Sequence, residues 1–269
     1  MKEANTGSHL VPPHGGRLKP LLLEGDTLKA ALDAARSMPV VRMSSRETSD
    51  LIMLATGAFS PLDGFMTSKD YHAAADSMHL ANGTLWPIPI TLSLKDGGPA
   101  VTTGEEIALV DDESGELMGS MQVEEIFDYD KREESRKVFG TDDEKHPGVA
   151  KVLSQGDKLL GGPVKAFSEL DYPARFADYY SRPADTRRIF KENGWSTVAA
   201  FQTRNPIHRS HEYCTKIALE ITDGLLIHPL VGKLKQGDIP ADVRMRCYEA
   251  LLDKYYPADR VVCRVYPME

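Results

Sequence analysis

Apolar positions along this chain follow two different rules. In the first part they fall in short alternating or apolar runs, 86–94, 106–110 and 117–126, which predict strands joined by the turn-rich stretches 95–99 and 112–116. Helical spacing interrupts them at 27–37 and 68–78, where Asp26 and Thr67 or Ser68 are placed to cap. A charged helix is expected at 131–137, and Gly161-Gly162-Pro163-Val164 marks a break before another short strand. The first part is thus predicted to be a mixed, β-rich domain.

From Asp185 the rule changes. Asp185 is expected to cap a helix through Glu192, ended by Asn193-Gly194, and a strand follows at 196–201. A helix at 211–222 carries Cys214, Ile217, Ala218 and Ile221 on one face, and 225–231 reads as the next strand. Asp238 with Pro240 opens another helix, along which Val243, Cys247 and Leu251 form the apolar stripe, and 260–265 is a third strand. The order βαβαβ is half of a doubly wound, Rossmann-like parallel sheet, whose ligands sit at the carboxyl ends of the strands. Little periodicity and two prolines between them, Pro173 and Pro183, place the domain boundary near 170–180, giving domains of 1–175 and 176–269.

Composition narrows the class. With 41% hydrophobic and 27% charged residues over 269 positions, disordered, collagen-like and coiled-coil chains are excluded, and two globular domains are expected. No apolar run approaches the roughly 20 residues of a membrane span, and no apolar h-region follows Lys2, Glu3 and Asn5, so neither a membrane nor a secretory role is expected. Cys214, Cys247 and Cys263 are odd in number and unpaired in spacing, which predicts buried thiols in a reducing cytoplasm rather than disulfides or a zinc ribbon. The net charge of −8 is uneven: residues 1–175 hold 18 Lys and Arg against 28 Asp and Glu, and residues 176–269 hold 14 against 12. The second part can therefore gather positive groups around a small anion, while the first is poorly suited to nucleic acid.

The candidate chemistry stands at the end of the strand at 196–201, in Gln202-Thr203-Arg204-Asn205-Pro206-Ile207-His208-Arg209-Ser210-His211-Glu212. Histidines at i and i+3 share one side of a starting helix, beside its free N–H groups and the positive end of its dipole, an arrangement suited to phosphate oxygens. Arg204 offers a planar fork to a tetrahedral oxyanion, and Gln202 and Asn205 add amide donors. Position 215 is Thr, so His-Glu-x-x-His fails. A metal site on His208, His211 and Cys214 is disfavoured because Cys214 belongs to the apolar stripe. Neither Gly-x-Gly-x-x-Gly after the strand nor Gly-x-x-x-x-Gly-Lys-Ser/Thr is present.

The stretch from Gln202 to Glu212 resembles the signature of the sulfate adenylyltransferase (ATP sulfurylase) family, and His208 with His211 is similar to the His-x-x-His element of nucleotidyltransferases. Segments 12–16, 57–66, 86–89, 228–232, 237–240 and 244–246 agree with the same family. The resemblance implies a PUA-like β-rich domain over 1–175, followed by the first βαβαβ half of a nucleotide-binding catalytic domain. It implies that ATP and sulfate give adenosine 5'-phosphosulfate and pyrophosphate, with Mg2+ bound with the ATP and a homo-oligomeric enzyme in the cytoplasm. Gln202 and Arg204 would bind sulfate; Thr203, Arg204 and Asn205 would orient it against the nucleotide; and His208 and His211 would act on the phosphates. All six would thus line the nucleotide site. The family's later Gly-Arg-Asp-His type loop does not occur before Glu269, so this chain is expected to be the N-terminal part of a longer enzyme, weakly active or inactive by itself. A non-catalytic PUA-like module that binds RNA or a protein surface is the competing expectation.

Overall fold

The computed structural model describes residues 10–95, 97–233 and 237–268. The described chain divides into two compact units, one of residues 19–170 and one of residues 171–268 joined by 10–18. Residues 171–175 fall in the second unit because Tyr172 and Phe176 feed its apolar core.

In the first unit the elements run α1 (Gly25–Ala35), β1 (Val40–Met43), α2 (Ser45–Thr56), β2 (Gly64–Phe65), α3 (Ser68–Ser77), β3 (Leu92–Leu94), β4 (Glu106–Asp111), β5 (Leu117–Gln122), β6 (Glu125–Asp128), α4 (Lys131–Phe139), α5 (Pro147–Leu153) and β7 (Lys158–Ala166). The sheet has the order β1-β4-β5-β7-β2, with β3 and β6 also paired to β7, so four strands converge on one. Only β1 with β4 is parallel; the other pairings are antiparallel. The expected strand at 86–94 shortens to β3, because Trp86 turns into the core while Ile88 stays exposed between two prolines. The run at 117–126 splits into β5 and β6. Asp26 lies inside the first turn of α1 rather than at its cap, and Thr67 precedes α3 without a capping bond.

The expected break at Gly161 and Gly162 is instead the middle of β7. A Cβ at Gly161 would lie 2.6 Å from the Met66 carbonyl oxygen, and one at Gly162 would lie 2.0 Å from that of Gln122, so only glycine admits both neighbouring backbones. Gly162→Ala is expected to destabilise this unit by about 2–3 kcal/mol, the upper part of the range for overpacking, measured as a shift of the urea midpoint.

Sequence periodicity missed α2, which is buried from Glu47 to Thr56. A capping box starts it: the Ser44 side chain accepts from the Glu47 N–H, and the Glu47 carboxylate accepts from the Ser44 N–H at 2.8 Å. The same carboxylate takes the Ser93 N–H at 2.7 Å and the Ser93 hydroxyl at 2.8 Å, so its burial is compensated. Leu51, Ile52, Met53 and Leu54 are almost fully buried, in the core that also holds Met43, Leu109, Met118 and Leu159.

The second unit contains α6 (Tyr172–Arg175), α7 (Pro183–Glu192), β8 (Val198–Thr203), α8 (Arg209–Ile221), β9 (Gly224–Pro229), α9 (Ala241–Tyr255) and β10 (Val261–Cys263). Its three strands are parallel in the order β10-β9-β8. This is the expected βαβαβ half-sheet. Asp185 is not the cap of α7 but its third residue, where its carboxylate accepts the Arg182 N–H at 3.2 Å, while Pro183 occupies the first turn.

The helix faces differ from the stripes read in the sequence. Along α8, Glu212, Thr215 and Leu219 are buried, while Tyr213, Cys214, Ile217 and Ile221 are exposed. Along α9, Ala241, Arg244, Met245 and Tyr248 are buried, and Val243 and Cys247 are exposed. Polar residues reach the interior because they find partners: the Thr215 hydroxyl lies 2.6 Å from the Tyr256 hydroxyl, and Glu212 holds Lys216 at 2.6 Å. Of the three thiols expected to be buried, only Cys263 is, and burial pushes it up to about 12. Among the described residues no helix is long and apolar enough to cross a membrane.

Candidate active site

Strand β8 ends with Gln202 and Thr203, which stand in register with His228 and Pro229 of β9. The chain leaves the sheet there, turns through Arg204–Ile207 and enters α8, so the carboxyl end of a parallel strand faces a helix N-terminus. Two bonds set the turn: the Asn205 N–H donates to the Thr203 hydroxyl oxygen at 3.0 Å, and the Tyr248 hydroxyl donates to the Asn205 carbonyl at 2.6 Å. The Thr203 hydroxyl is thereby engaged with its own turn. Gln202 and Asn205 are exposed at its two ends.

His208 and His211 cap α8 reciprocally. His208 is the N-cap, whose Nδ1 takes the Ser210 N–H at 3.5 Å, and the His208 N–H donates to Nδ1 of His211 at 3.2 Å. Two imidazoles thus fill the positions that Ser or Thr and Glu hold in a capping box. An Nδ1 that accepts from a backbone N–H carries no proton, and the ring hydrogen then stands on Nε2, a donor suited to an anion. The ring of His211 also packs on Phe201, with centroids 5.5 Å apart.

The guanidinium of Arg204 is not an open fork. One nitrogen, Nη2, donates to the Asp238 carboxylate at 2.7 Å and to the Lys233 carbonyl at 3.0 Å, while Nε is buried with no partner among the described residues. Asp238 was absent from the site expected on sequence; its place in Gly237-Asp238-Ile239-Pro240, just before α9, was the available signal. Arg244, also missed, is buried and donates from Nε to the Ile239 carbonyl at 2.9 Å and from Nη1 to the Leu230 carbonyl at 2.5 Å. It ties the turn after β9 to the start of α9. His228 is half-buried, its Nδ1 lies 2.7 Å from the Arg264 carbonyl, and burial lowers its pKa from the usual histidine range. The Nδ1 must therefore be the protonated nitrogen. Among the described residues no three His, Cys, Asp or Glu side chains converge as metal ligands.

The structure brings Gln202, Thr203, Arg204, Asn205, His208 and His211 together around one strand end and one helix start. Neutral amide donors, a braced arginine and two Nε2 donors suit a polyanion or two small anions side by side.

The comparisons with known proteins agree with that chemistry. Residues 11–169 match the family described as PUA-like domain, and residues 177–269 match the family described as ATP-sulfurylase. The sulfate adenylyltransferase of Chlorobaculum tepidum is 58% identical over 263 residues, which cover 97% of this chain and 65% of that protein. The sulfate adenylyltransferase of Desulforamulus reducens is 52% identical over 261 residues, covering 97% of this chain and 67% of that protein. Among solved structures, one described as hexameric APS kinase from Thiobacillus denitrificans is similar with a TM-score of 0.75 and 28% identity, over 96% of this chain and 47% of that one. The chain thus spans about two thirds of the length of the curated relatives it matches. With the matches covering both units and the signature residues gathered at one strand end, the chain belongs to the sulfate adenylyltransferase family.

Proposed function

We propose that this chain forms the PUA-like domain and the sulfate-binding part of the catalytic domain of an enzyme that converts ATP and sulfate to adenosine 5'-phosphosulfate and pyrophosphate. The observation that carries the reading is the cluster from Gln202 to His211 at the carboxyl end of β8, in a chain of this family. A sulfate oxygen attacks the α-phosphorus of ATP; the bond from that phosphorus to the bridging oxygen breaks, and pyrophosphate leaves. Sulfate is dianionic at neutral pH, so no general base is required. The protein's task is to hold two repelling anions in line and to spread the charge growing on the α-phosphate and the leaving group.

In this reading Gln202 and Arg204 bind sulfate, and Thr203 and Asn205 fix the turn that carries it against the nucleotide. The Nε2 donors of His208 and His211 meet phosphate oxygens. Each such donor contributes on the order of 3 kcal/mol to the transition state. Magnesium enters with ATP, as part of the substrate, on oxygens of the triphosphate. A cytoplasmic location and assembly of identical subunits belong to the same proposal. The competing reading, an RNA-binding module, is not favoured, because the relatives are named sulfate adenylyltransferases and the unit of residues 19–170 is rich in carboxylates.

The test is pyrophosphate release from ATP by the chain extended to the length of its relatives. Release that depends on added sulfate, and that molybdate can also drive, is the expected result. Release independent of any oxyanion, or none at all, would overturn the proposal.

A further inference from the structure

We infer that Asp238 is a positioning residue for the reaction proposed above, acting through Arg204 and not by touching substrate. The inference rests on that reading of the site. The two side chains are 23% and 14% exposed and meet at 2.7 Å. Both hydrogens of Arg204 Nη2 are committed, one to the Asp238 carboxylate and one to the Lys233 carbonyl. With Nη2 held by two acceptors from the segment between β9 and α9, the guanidinium plane cannot turn about its stem. Its other donors, on Nη1 and Nε, keep one direction, and among the described residues Nε has no partner to compete for it. The arginine that follows β8 is thereby stapled to the next strand's exit, which Arg244 holds in turn through the Ile239 and Leu230 carbonyls.

The pair also sets the charge. A carboxylate facing the guanidinium offsets part of its attraction for an arriving dianion while leaving it a charged donor, so the site gains direction and gives up net attraction. Removing the carboxylate while keeping its shape reverses that exchange: the anion is attracted more and aligned less. This gives a signature that a structural role would not produce, since a loosened fold weakens binding and turnover together.

The experiment compares the wild type, Asp238→Asn, Arg204→Ala and the double variant in the full-length protein, by pyrophosphate release at saturating ATP with sulfate varied. In Asp238→Asn, kcat is expected to fall by about tenfold or more, as misplaced reacting groups do, with the KM for sulfate no higher than in the wild type. In the Arg204→Ala background the same change should have no further effect on kcat, because the residue it acts through is gone. The thermal midpoint of Asp238→Asn, recorded alongside, separates alignment from unfolding. A kcat close to the wild-type value, a sulfate KM that rises as kcat falls, or an equal loss in the Arg204→Ala background would each overturn the inference while leaving the proposed function intact. An inert wild type would overturn both.

Discussion

Exchanging His208 for Ser and His211 for Glu leaves α8 capped and removes the activity. Ser and Glu are the residues that ordinarily make this reciprocal cap, so the His208→Ser/His211→Glu variant keeps both bonds to the backbone N–H groups now taken by the two Nδ1 atoms. Its thermal midpoint is expected to equal or exceed that of the parent. The exchange does remove both Nε2 donors and places a carboxylate where phosphate oxygens are proposed to lie. With each donor contributing on the order of 3 kcal/mol, a loss of about 1000-fold or more in kcat/KM is expected, less than the sum because the two act on one charge distribution. A folded variant that still turns over would mean that these histidines serve the helix and not the reaction.

Arg204→Ala is expected to lower kcat/KM for sulfate by about 100-fold, roughly 3 kcal/mol, since a charged donor to the oxyanion disappears. It also takes from the Asp238 carboxylate, 14% exposed, its ion pair at 2.7 Å, and a loss of about 1–3 kcal/mol in stability accompanies the loss of activity. Urea unfolding and sulfate titration of pyrophosphate release measure the two effects separately. Arg204→Lys restores the charge but not the donors that reach Asp238 and the Lys233 carbonyl together, and is expected to recover little of the rate. Full recovery with Lys would show that charge alone suffices at this position.

The site was more legible in the sequence than the faces of the helices that carry it. Gln202 to His211 could be placed because a short apolar strand, a turn with proline and a helix start follow one another within a few residues, and a parallel strand end is where this architecture binds anions. Asp238 could not be placed there, because its partner lies 34 positions away and only the fold brings them together. Hydrophobicity points the stripes Cys214, Ile217, Ala218, Ile221 and Val243, Cys247, Leu251 inward, yet of these only Leu251 packs against the core while α8 and α9 bury Glu212, Thr215 and Arg244, whose polar atoms are satisfied inside the unit. Pattern alone cannot see such a pairing. Helix α2 escapes for another reason: buried from Glu47 to Thr56, it holds its polar residues in the first half and its apolar ones in the second, which hides the helical period, and Ser44 with Glu47 is the signal that marks its start. Gly161 and Gly162 of β7 signal a break by residue type alone; the backbones that crowd them are what require glycine inside a strand.

Strand β7 has a consequence for the making of the protein. It supplies the pairing edge for β2, β3, β5 and β6, yet it is the last strand of its unit to leave the ribosome. Until residue 166 has emerged, those four strands have no permanent neighbour in that position and the apolar faces prepared for it remain uncovered. Closure of this unit is therefore a late step of synthesis with long sequence separations, and a nascent chain stalled before Lys158 exposes unpaired strand edges to chaperones and to its neighbours.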